Sequence, residues 1–182
     1  MKVHGTAIAD VKLIEPDVFG DARGFFVETW NARTFRAHGI DANFVQDNHS
    51  RSARGVLRGL HYQVVQPQGK LLRVVAGRAY DVAVDLRRSS PSFGAWVGFE
   101  LSADNRQMAW IPPGFAHGFL SLEDDTDLLY KCTDFYAPQH ERTLKWDDPA
   151  LGIAWPLDRV GELTLSAKDR VGAPLARAEA YP

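Results

Sequence analysis

Apolar residues along this chain recur at every second position more often than at every third or fourth. The clearest case runs from Ala79 to Leu86. There Tyr80, Val82, Val84 and Leu86 share one face of an extended strand, with Asp81, Asp85 and the small Ala79 and Ala83 on the other. The same period predicts short strands over 25–30, 43–48, 56–63, 70–75, 96–101, 107–111, 118–122 and 127–134. Gly20-Asp21, Gly77, Ser89 to Ser92 and Pro112-Pro113-Gly114 supply the turns between them. One early helix is predicted, with Asn31 as its cap, Phe35 as its apolar contact and Gly39 as its left-handed stop. Beyond Pro138 the pattern is irregular, and residues 138–182 are expected to wrap over the domain. Many short strands, little helix and no internal repeat predict one all-β domain over 1–182, a sandwich or barrel of the jelly-roll kind with a few short helices.

Composition narrows the function classes. Hydrophobic residues make up 45% of the 182, enough apolar side chain to offset the entropy of ordering a core. With 21 basic against 23 acidic residues the net charge is −2, and no basic face for nucleic acid is evident. A single cysteine, Cys132, excludes an internal disulfide. No apolar run reaches the roughly 18 residues of a membrane span. The start, Met1 to Gly5 with Asp10 soon after, lacks the apolar stretch of a signal peptide, so a cytoplasmic location is expected.

Four segments concentrate chemistry. In Arg58-Gly59-Leu60-His61-Tyr62-Gln63, strict alternation puts His61 and Gln63 on one face and Arg58 on the other. Both Arg58 and His61 can face one pocket only if a bulge near Gly59 changes the parity. A lone strand histidine is ordinarily a hydrogen-bonded core residue. In Trp110 to Phe119, the order P-x-G-x-x-H at Pro112, Gly114 and His117 is similar to half of the second metal-binding motif of cupins. The first half of a cupin metal set, H-x-H followed by Glu, is missing, because His61 is followed by Gln63. Two histidines fall short of the three ligands a metal needs. In Leu128 to Tyr136, Tyr130 and Cys132 share a strand face; an isolated strand cysteine is ordinarily an inert apolar residue rather than a nucleophile. Ser166-Ala167-Lys168-Asp169 reads either as a helix capping box or as an Asp that orients a histidine ring, with Asp81 a rival for that partnership.

Taken in order, six motifs resemble the dTDP-4-dehydrorhamnose 3,5-epimerase family, cupin-like jelly rolls of deoxysugar biosynthesis. They are FGDxRGFF at 19–26, FVQDNHS at 44–50, VLRGLHYQ at 56–63, WIPPGFAHGF at 110–119, LYK at 129–131 and LSAKD at 165–169. The resemblance implies His61 as general base paired with Asp169, Tyr130 as proton donor on the opposite sugar face, and Lys70 beside the ketone oxygen. It implies Arg23, Glu28, Gln46, Asn48, Arg58, His117, Glu141 and Lys168 around the nucleotide sugar, and Tyr136 stacked on thymine. It further implies a substrate, dTDP-4-dehydro-6-deoxy-D-glucose, no metal or other cofactor, and a homodimer that exchanges strands within about residues 1–30. Under that exchange Arg23 and Glu28 reach the partner's site.

The chemistry fits those residue types. Protons on the carbons flanking a ketone are acidified, and inverting each centre needs a base on one face and an acid on the other. The electrons return to the same carbon, so no redox cofactor is required, and the chain carries no G-x-G-x-x-G turn. The alternatives are a single-centre 3- or 5-epimerase, a metal-dependent cupin enzyme, and a sugar-binding jelly roll without catalysis.

Overall fold

The computed structural model describes residues 1–182. Its strands are β1 (Lys2–Gly5), β2 (Lys12–Glu15), β3 (Val18–Asp21), β4 (Gly24–Val27), β5 (Gln46–Ser52), β6 (Leu57–Gln63), β7 (Lys70–Ala76), β8 (Arg78–Asp85), β9 (Trp96–Ser102), β10 (Met108–Ile111), β11 (Phe115–Ser121), β12 (Thr126–Cys132) and β13 (Glu141–Thr143). Helix α1 (Ala32–Ala37) lies between β4 and β5, and a one-turn α2 (Ala167–Arg170) near the C-terminus. A six-stranded sheet in the order β1-β2-β10-β7-β12-β5 faces a five-stranded sheet in the order β13-β6-β11-β8-β9. The pairings are antiparallel, giving the predicted jelly-roll sandwich.

Alternation decides what lies between the sheets. Leu72, Val74, Ala109, Ile111 and Leu128 from the six-stranded sheet meet Ala79, Ala83, Val97, Leu101, Phe115 and Phe119 from the other, forming an apolar half-interior. The small residues of β8 leave room there for the bulky rings of β11. The outer face of the five-stranded sheet, with Leu57, Leu60, Val82, Val84 and Leu120, is covered by Leu144, Leu151, Trp155 and Val160 of the irregular C-terminal segment. Each fully buried Leu or Val contributes roughly 1.5–3 kcal/mol. Helix α1 closes the outer face of the six-stranded sheet, packing Phe35 with Ile40 against Ile14, Leu71, Met108 and Trp110. Its cap is the expected one: Asn31 Oδ1 accepts from the Arg33 and Thr34 amides, and Gly39 takes φ +78°.

Several boundaries differ from the sequence expectation. Strands β1, β2 and β3 have four residues each, too short for a period to register. The strand expected over 43–48 instead runs Gln46–Ser52, because its QDNHSRS sequence carries no apolar alternation. The one expected over 118–122 begins at Phe115.

Candidate active site

The other half of the interior is polar. Along β5 the inward positions Gln46, Asn48 and Ser50 pair with Cys132, Tyr130 and Leu128 of β12. Opposite them, β6 and β11 present Arg58, His61, Gln63, His117 and Phe119. With Gln46, Asn48, Ser50 and Tyr130 they border a cavity of about 380 Å³.

A bulge brings Arg58 and His61 to the same cavity. His61 pairs with His117, but the next partners are Arg58 and Phe119, so Gly59 and Leu60 stand opposite Gly118 alone. Gly59 has φ +127°, and a Cβ there would lie 2.5 Å from the Gly118 Cα. Only glycine accommodates both that backbone and that approach. Arg58 then reaches back to β5, donating from Nε to Ser52 Oγ and from Nη2 to the Arg51 carbonyl, both at 3.0 Å.

Two histidine–carboxylate pairs follow. His61 Nε2 lies 2.6 Å from Asp169 Oδ1, and His117 Nε2 lies 2.8 Å from Asp81 Oδ2. A carboxylate only accepts, so each Nε2 carries a hydrogen, and in the neutral form of either ring the lone pair then lies on Nδ1. Asp81, the rival partner for His61, thus serves His117 instead. Asp169 shows that both readings of Ser166 to Asp169 hold at once. Ser166 Oγ accepts from the Asp169 amide as the cap of α2 and donates to Oδ2, while Oδ1 is left for His61.

Electrostatics separates these groups. Burial raises the Asp169 carboxyl, but the hydrogen bonds from His61 and Ser166 outweigh it and hold the group below the usual carboxylate range. Asp81 is wholly buried, and desolvation pushes its carboxyl up against the pull of His117 and Lys70; its Oδ1 has no partner in the chain. Burial lowers His117, which favours neutral imidazole. Lys70 enters from β7, where burial lowers its ammonium and the carboxylates of Asp81 and Glu141 oppose the shift. Burial raises the Tyr130 hydroxyl, keeping it protonated. At the mouth, Glu141 Oε2 accepts from Lys168 Nζ at 2.8 Å and from the Tyr136 hydroxyl at 3.0 Å.

Such a cavity sets a partly exposed, carboxylate-oriented histidine, His61, on one sheet against a tyrosine and a lysine on the other. Comparison with known proteins identifies the family of the chain. The sequence profile described as dTDP-4-dehydrorhamnose 3,5-epimerase matches residues 5–177. The chain belongs to this family. It is 58% identical to the dTDP-4-dehydrorhamnose 3,5-epimerase of Pseudomonas aeruginosa, with all of both chains covered. A Legionella pneumophila dTDP-6-deoxy-D-glucose-3,5-epimerase, solved in complex with dTDP-4-keto-L-rhamnose, superposes with a TM-score of 0.94 at 49% identity, covering 98% of this chain and 94% of that one. A 3'-monoepimerase from Streptomyces bikiniensis bound to dTDP-quinovose has a TM-score of 0.89 at 39% identity, covering 97% and 89%.

Against the family expectation, the cavity gathers His61, Lys70, Tyr130, Asp169, Gln46, Asn48, Arg58, His117, Tyr136, Glu141 and Lys168. Arg23 and Glu28 lie elsewhere. Arg23 is exposed on the β3–β4 hairpin and pairs with Asp21, while Glu28 accepts from Asn31. Sequence reasoning did not select Ser50, Tyr62, Gln63, Gln68 or Phe119, which also border the cavity. Ser50 and Gln63 had a usable signal, since each falls two residues from a selected position on the same strand face. No three His, Cys, Asp or Glu side chains converge as a metal-holding set. Cys132 is buried on β12, where desolvation raises its thiol.

Proposed function

We propose that this chain catalyses 3,5-epimerisation of dTDP-4-dehydro-6-deoxy-D-glucose to dTDP-4-dehydro-L-rhamnose, a step of dTDP-L-rhamnose biosynthesis. The observation that carries this reading is His61 on one sheet, paired with Asp169 of α2, facing Tyr130 and Lys70 on the other sheet across a single cavity. Full-length similarity to the Pseudomonas enzyme supports the double rather than the single-centre reaction.

In the reaction we infer, His61 Nδ1 takes the proton from a carbon beside the ketone. The C–H electron pair moves into the enolate, and its oxygen gains negative charge. Asp169 accepts the Nε2 hydrogen throughout and stabilises the imidazolium that forms. The Lys70 ammonium stabilises the enolate oxygen in a site poor in water. Tyr130 then donates its phenolic proton from the opposite sheet, which inverts the centre. Solvent restores that proton and removes the one held by His61, so the net change is isomerisation. The same sequence at the second carbon completes the reaction.

Arg58 and Lys168 supply cations for the diphosphate, and Tyr136 offers a ring for the thymine. We further propose a cytoplasmic homodimer. β1 and β2 are paired within their own sheet, which leaves the β3–β4 hairpin as the segment that crosses to the partner. Its Phe19, Phe25 and Phe26 are 64%, 59% and 67% exposed, an apolar surface suited to burial against a second copy. Crossing would carry Arg23 to the partner's site.

The test is conversion of the 4-keto sugar in the presence of a stereospecific 4-keto reductase. Formation of dTDP-L-rhamnose is expected, and a product retaining the D configuration at carbon 5 would overturn the double epimerisation.

A further inference from the structure

Residues 134–137 carry Tyr136 at the mouth of the cavity and join no sheet. A peptide segment without a ladder must satisfy its backbone groups in another way. Here side-chain amides take that place. Gln68 Nε2 donates to the Asp134 carbonyl at 2.8 Å, and Gln46 Oε1 accepts from the Tyr136 amide at 2.8 Å. Gln63 contributes most. Its Oε1 accepts from the Ala137 amide at 2.8 Å, and its Nε2 donates to the Phe135 carbonyl at 3.2 Å and the Gln66 carbonyl at 2.8 Å.

A primary amide suits this role because it offers two donors and an acceptor in one plane. Gln63 is only 3% exposed, so each of these bonds is made away from bulk water, where an unmade one is costly. The residue follows His61 by two positions on β6. The strand that carries the base therefore also grips the segment that carries Tyr136.

We propose that Gln63 is a positioning residue for nucleotide recognition: through the backbone of 135–137 it fixes the Tyr136 ring where the base stacks. This rests on the role given to Tyr136 above. Gln63 has no part in proton transfer, because its amide is committed to backbone groups.

Gln63→Met keeps the volume and removes the three bonds. Binding of dTDP, measured by calorimetry, is expected to weaken about tenfold, with KM rising in parallel and kcat within about twofold of the parent. Tyr136→Ala alone should weaken dTDP binding by roughly 5–150-fold, the range for loss of one base–aromatic stack. In the Tyr136→Ala background, adding Gln63→Met should change binding by less than about twofold, because the two act through one contact. An undiminished tenfold loss in that background would overturn the proposal, as would unchanged dTDP binding or a fall in kcat at constant KM. If Gln63→Met fails to fold by circular dichroism, Gln68→Ala carries the same cycle from the half-exposed side, with about threefold expected. Parental dTDP affinity in Tyr136→Ala would overturn both the stacking role and this proposal, while the epimerase reaction is tested separately by product formation.

Discussion

His61 and His117 are direct partners across β6 and β11, yet each binds its own carboxylate. The pairing of His61 with Asp169 spans 108 positions in the chain, so no local periodicity could choose it over Asp81. Only the motif resemblance ranked the two. The geometry yields a comparison of three variants. His61→Ala should abolish turnover while keeping the parental circular dichroism spectrum, since His61 is not part of the apolar core. Asp169→Asn should reduce kcat roughly 10²–10⁴-fold, the scale of positioned acid–base catalysis. Asp81→Asn should leave the His61 pair intact and cost less than Asp169→Asn. The reverse ranking would reassign the partner of His61.

Lys70 adds a pH prediction. The enolate oxygen needs the ammonium form, and burial lowers its pKa, so activity should fall on the alkaline side below the ordinary lysine value of about 10.4. Tyr130 is shifted the other way and stays protonated through that limb. The kcat/KM profile of Lys70→Arg should lose this limb, because guanidinium does not titrate there. An unchanged limb would remove Lys70 from the role.

At the scale of elements, the most informative sequence signal was a conflict. Alternation along β6 separated Arg58 from His61, and only a bulge at Gly59 could reconcile them; Gly59 and Leu60 opposite Gly118 are that bulge. Gly59→Ala should destabilise the protein by about 1–3 kcal/mol, since it forces a side chain into a positive-φ position against Gly118. It should also lower kcat by displacing His61. A parental urea midpoint and kcat would show that the bulge is not what sets the base. Strand β5 was harder to read for a related reason. Its inward face meets the cavity rather than the core, so hydrophobic alternation vanished where function took over. Helix α2 is a single turn, legible only as a cap.

At the scale of the whole molecule, the jelly roll was legible because its core strands follow the two-residue period, whereas of the hairpin that projects from it only the second strand was legible, expected over 25–30 and found at Gly24–Val27. Its exposed phenylalanines stand out only once the sheets are assembled. If Arg23 acts across a dimer interface, two inactive variants should rescue each other. Co-expressed His61→Ala and Arg23→Ala chains form mixed dimers in which one site has both residues intact, and about a quarter of parental activity is expected. No recovery in verified mixed dimers would place Arg23 in its own chain's site. The most direct test of the whole account is proton NMR of the 4-keto sugar nucleotide with the enzyme in deuterated water. Loss of the signals at both carbon 3 and carbon 5 is expected. A signal retained at either carbon, with full exchange at the other, would contradict the double epimerisation.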